Sequence, residues 1–136
     1  MPAVTAADLA SRIEALWGQP LAELRQEAEE HPGSTMIGAL VRLHADTAFA
    51  ERSIAFHRDR LRQLSEPEKE INDFTVRHLL DTAQRLALAV TARNSHLAAA
   101  TGVLDGLRRR DPTAPPALLA ALPADLAQTA GLLHRR

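Results

Sequence analysis

At 136 residues, 46% hydrophobic and 24% charged with a net charge of −1, the chain has the composition of a folded globular protein rather than a disordered one. It contains no cysteine, which excludes disulfides, thiolate metal sites and cysteine nucleophiles. Trp17, Phe49, Phe56 and Phe74 are its only aromatic residues, and the abundance of Ala and Leu favours helix over strand. The expected class is all-α: one helical domain over 1–136, built on a long antiparallel hairpin with short flanking helices.

In chain order, Met1-Pro2-Ala3-Val4-Thr5 has neither the basic nor the apolar region of a secretory signal. Apolar runs such as Leu86 to Val90 fall far short of the about 20 residues a membrane span needs. The reading is a cytoplasmic protein without membrane contact. Thr5 and Asp8 have the spacing of an N-terminal cap, opening a short helix through Leu16 that Gly18 and Pro20 interrupt. A second short helix runs from Leu21 to Glu30 and ends at His31-Pro32-Gly33. These short helices, residues 1–33, carry six acids against two arginines, a net −4. Residues 34–110 carry nine acids against eleven Arg and one Lys, a net +3.

Ser34 is placed to cap the first long helix. Its apolar seam is Met36, Leu40, Leu43, Thr47, Ala50, Ile54, His57, Leu61 and Leu64, in steps of four and three, the pattern of a helix packed lengthwise on another. Ser65-Glu66-Pro67-Glu68 has the spacing of a capping box, so the turn is expected to be very short, with the return helix starting at 66 and running to 109. That helix repeats the spacing at Val76, Leu79, Ala83, Leu86, Val90, Arg93, Leu97, Ala100, Leu104 and Leu107. A second stripe through Leu80, Ala87 and Val103 makes its apolar surface wider than one partner can cover. The flanking helices or a second copy must cover the rest. Asp111 to Pro116 reads as a rigid linker, followed by short helices at about 116–122 and 124–134, divided by Pro123.

Several residues are candidates for chemistry. If hairpin positions pair to a sum near 132, Glu51 faces Asp81 and Ile54 faces His78, with His57 one turn away. Glu51, His57, His78 and Asp81 could then form a metal layer between the arms, the way helical bundles hold metals. The paired Glu-x-x-His motifs of di-iron bundles are absent, however, and no cofactor is implied. Glu27/Glu30 and Glu70/Asp73 have the local carboxylate spacing of all-α pyrophosphohydrolases but lie far apart in the chain. Arg52-Ser53-Ile54-Ala55-Phe56-His57 resembles the Arg-x4–6-His motif of the HEPN family, small and often dimeric helical bundles that include metal-independent RNases. That resemblance implies phosphate binding by Arg52 and acid–base work by His57. It departs from the family at Ser53, where Asn is frequent.

Arg77, Arg85, Arg93, Arg108, Arg109 and Arg110 could bind nucleic acid. In size and composition the chain is similar to the small helical subunits of CRISPR effector complexes, although a pI of 6.6 is far from the basic values of strong phosphate binders. The leading expectation is a non-enzymatic helical interaction, scaffold or adaptor subunit. It would associate with itself or another protein through the apolar hairpin faces, with Leu79, Leu80, Leu86, Val90, Leu97 and Leu104 as the interface. The nucleic-acid subunit, the HEPN-like RNase and the metal-binding bundle are its alternatives.

Overall fold

The computed structural model describes residues 4–32 and 35–109. The expected linker at 111–116, the two helices after it, the cap at Ser34 and the position of Arg110 lie outside the described residues. Backbone contacts divide the chain into Met1–Asp105 and Gly106–Arg136. Of the second unit only the end of one helix is described, so the account below concerns the first.

The fold is all-α: a bundle built on a long antiparallel hairpin, with two short helices ahead of it. Among the described residues there are four helices, α1 (Ala6–Trp17), α2 (Leu21–Glu30), α3 (Thr35–Leu64) and α4 (Asp73–Arg109), and no strand. None of these helices is long and apolar enough to cross a membrane. At 1.5 Å per residue the two hairpin arms are about 45 and 55 Å long.

α1 begins with the expected cap, extended to a full capping box. The Thr5 hydroxyl accepts from the Asp8 backbone N–H at 3.2 Å, and the Asp8 carboxylate accepts from the Thr5 N–H at 2.8 Å. These bonds from the Thr5 backbone and hydroxyl hold the Asp8 carboxyl below its ordinary range. Gly18 ends the helix in the left-handed conformation at φ 67°, which a side chain would strain.

α1 and α2 pack on each other and on α3. Leu9 and Ile13 of α1, Leu24 of α2 and Leu40 of α3 are fully buried, each contributing roughly 1.5–3 kcal/mol of apolar burial. Val41, Thr47, Ala50 and Ile54 of α3, with Ala100 and Leu104 of α4, complete this core. The buried Thr47 hydroxyl is satisfied by donating to the Leu43 carbonyl at 2.7 Å. α1 and α2 thus lie against the hairpin, with one ion pair to it among the described residues. Arg12 of α1 bonds Asp105 of α4 at 2.8 Å.

The turn differs from expectation. It spans residues 65–72, and Ser65 does not open α4. Its hydroxyl donates back to the Leu61 carbonyl at 2.7 Å, closing α3. Asn72 opens α4 instead, its side-chain carbonyl accepting from the Thr75 N–H at 2.9 Å. The capping-box pattern at 65–68 loses because Ser65 finds acceptors in the turn it terminates, while Asn72 stands directly before the helical run. The longer turn resets the register. Asp46, Ala50 and Ser53 share a cleft with Ala89, Ala92 and His96, so facing positions sum to about 142 rather than 132. On α4 the inward line accordingly passes through buried Thr82, where the seam reading has Ala83, which is exposed.

Asn72→Ala is expected to destabilise the protein by about 1 kcal/mol, and Ser65→Ala by clearly less. Equal costs in chemical denaturation would contradict this account of the turn. Gly102 lies inside α4 with open space where a Cβ would stand, so Gly102→Ala should stabilise by about 0.5–1 kcal/mol in the same measurement.

Candidate interaction face

α3 is enclosed on one side only. Glu51 points toward α1, accepting a hydrogen bond from the Ala6 backbone N–H at 2.8 Å and so serving the first turn of α1 from 45 positions away. Phe49, two residues earlier, points about 160° away around the helix, on the side α1 leaves bare. Phe49 is 64% exposed and Phe56, one heptad on and on the same face, is 65% exposed. The Arg52 guanidinium lies 6.0 Å from the centre of the Phe49 ring, at the edge of cation–π range.

Between α3 and α4 on this side lies an open cleft of about 250 Å³, lined by Asp46, Phe49, Ala50, Ser53, Ala89, Ala92 and His96. Three of its seven lining residues are alanines, whose short side chains leave the groove open. Asp46 and His96 stand opposite each other at one end by register, and Ser53 lies toward the other. Leu88, one turn before Ala92 on the same flank of α4, is 64% exposed. Apolar side chains of this size at such exposure around a concave apolar floor are the composition of a docking surface.

His44 occupies the opposite, covered side. Its Nδ1 is buried with no hydrogen-bond partner among the described residues. Burial is the main reason its pKa falls below the ordinary 6.5, with Arg25 of α2 adding to the effect; Glu51, the Ala6 backbone and Glu14 oppose it.

The expected site residues are scattered by this geometry. Register 142 separates Glu51, His57, His78 and Asp81, and no group of three metal-ligating side chains occurs among the described residues. Glu51 is engaged at Ala6, His57 stands edge-on to Phe56 with ring centres 5.3 Å apart, His78 stands edge-on to Phe74 at 4.6 Å, and Asp81 pairs with Arg85 at 3.0 Å. Arg52 and His57 are five positions apart, hence about 140° around α3, one exposed and the other half-buried. They do not converge within the chain. Arg77, Arg85 and Arg93 are each eight residues apart, which rotates them by about 80° per step and spreads them around α4 rather than along one stripe. Arg93 is half-buried beside Asn94 and Arg108 is exposed, while the Arg109 side chain is outside the description.

Of the expected interface, Leu104 is a core residue and Leu79, Leu86, Val90 and Leu97 are half-buried, leaving Leu80 exposed. The sequence reading missed Phe49, Phe56 and Leu88 as a surface, and His44 altogether. The available signal was the seven-residue spacing of Phe49 and Phe56, offset by two positions from the seam residues Thr47 and Ile54. No protein family, curated protein or solved structure matches the chain.

The depressed pKa of His44 has a defined consequence. Unfolded His44 takes up its proton near 6.5 and folded His44 only at lower pH, so the unfolded state binds more protons between the two values. Stability should therefore fall as pH drops below 6.5, down to the folded value. In urea titrations over this range the midpoint of wild type should decline more steeply than that of His44→Gln; parallel profiles would contradict the burial argument.

Proposed function

We propose that this chain is a non-enzymatic interaction module that docks protein through the open α3–α4 face. One observation carries the reading. Phe49, Phe56 and Leu88 are all about two-thirds exposed; Phe49 lines the cleft beside Ala50, Ala89 and Ala92, Phe56 follows it one heptad on along α3, and Leu88 precedes Ala92 by one turn on α4. Scattered single apolar residues on a surface need no explanation, whereas three gathered on one face beside a concavity do. The cleft has few polar groups, and none of Asp46, Ser53 or His96 is placed against a nucleophile–base pair or a carboxylate partner among the described hydrogen bonds. That composition suits packing of a side chain better than orientation of a reacting substrate. Aromatic residues at the centre of such faces are the usual energetic anchors, with truncation costing about 2 kcal/mol or more.

A photo-crosslinking amino acid at position 56 tests this in cells that make the protein. Covalent adducts to protein are expected from position 56 and not from position 84, an exposed position on the outer side of α4. No adduct at 56, or equal adducts at both positions, would refute the reading.

A further inference from the structure

We infer that the occupant of the open face is a second copy of the same face, related by a two-fold axis passing beside Ser53. This rests on the interaction reading and names its partner. A face that carries both a socket and a knob is self-complementary. A two-fold in the plane of the face, perpendicular to the line joining them, places each knob in the other copy's socket. Here the socket is the cleft beside Ala50 and Ala92, whose 250 Å³ is roomy enough for one aromatic ring. The knob is Phe56, six residues further along α3 and thus about 9 Å away.

Charge supports the same axis independently. Pairing Phe56 with the level of Ala50 sets the two copies of α3 antiparallel, with positions summing to 106, so Arg60 meets the level of Asp46 in the other copy, twice. Both lie on the same side of the α3 face, about 40° apart, so the symmetry brings them together rather than across the groove. Within one chain neither has an ionic partner among the described residues. Arg60 makes only a 3.5 Å contact with Gln63, and Asp46 sits half-buried in the cleft near the level of His96 without a bonded cation. A half-buried carboxylate facing an open apolar groove gains most from a cation delivered by the partner that closes it.

The test is a charge swap between copies, read by sedimentation across the micromolar range. Wild type is expected to dimerise. Asp46→Arg sets Arg against Arg60, and Arg60→Asp sets Asp against Asp46, so each variant alone should dimerise more weakly by about tenfold or more. An equimolar mixture should restore the dimer as a heterodimer, because both contacts are then of opposite charge. Phe56→Ala, a change at an exposed position, should lose the dimer while keeping wild-type helicity by circular dichroism. A wild type that stays monomeric overturns the inference, and adducts from position 56 to a different protein would then leave the wider interaction reading standing. A dimer insensitive to the single swaps, or a mixture that fails to recover, overturns the assigned geometry.

Discussion

An antiparallel pair of helices can bury only a strip along each member, and the rest of this structure depends on what covers the two flanks of that strip. α1 and α2 cover one flank, placing Leu9, Ile13 and Leu24 against α3. The junction is held by backbone as well as apolar contact. Glu51 reaches the first turn of α1 through the Ala6 N–H, and Arg12 reaches Asp105. The partly exposed Arg12–Asp105 pair is worth little in stability, in the range of about 0.2–1 kcal/mol, but it ties α1 to α4. Once two short helices have been spent on one flank, the first unit has no further described element for the other.

Register decides which residues occupy that bare flank. The very short turn expected from the sequence would have set His57 and His78 near one level with Glu51 and Asp81, a layer with ligand chemistry. The eight residues actually used, with Asn72 as the cap, slide α4 so that alanines at 89 and 92 stand beside Asp46, Ala50 and Ser53. A change of a few residues in loop length thus exchanges a polar layer for an apolar groove. The distinction between a metal-binding and a partner-binding hairpin lies in the turn more than in the arms.

Much of the architecture was legible in the sequence because the physics behind it is local. The Thr5–Asp8 cap, the stop at Gly18 and the extent of α2 follow from side chains bonding their own neighbourhood, and the seam from Leu40 to Ile54 follows from helical periodicity. The register was not legible, since Ser65 and Asn72 are both competent caps and the choice turns on which carbonyls and amides remain free once both arms have formed. The docking face was obscured for a related reason. Phe49 and Phe56 look like ordinary apolar residues, and only the packing of α1 on the far side of α3 shows that no described element of the first unit covers them. His44 was invisible because its surroundings come from three different helices.

The third layer also ends partway along the hairpin. From Ala55 to Asp81 no residue is buried, and among the described elements only the partner arm covers the distal part of each. Local opening is cheapest where few apolar contacts must be broken, which here is the stretch around the turn. Opening near residue 60 therefore breaks fewer apolar contacts than opening near the fully buried Leu40. Phe56 sits at the border between these regimes. A protein bound over it would therefore act as a clamp on a breathing hairpin, and part of its binding energy would be spent on ordering the distal arms.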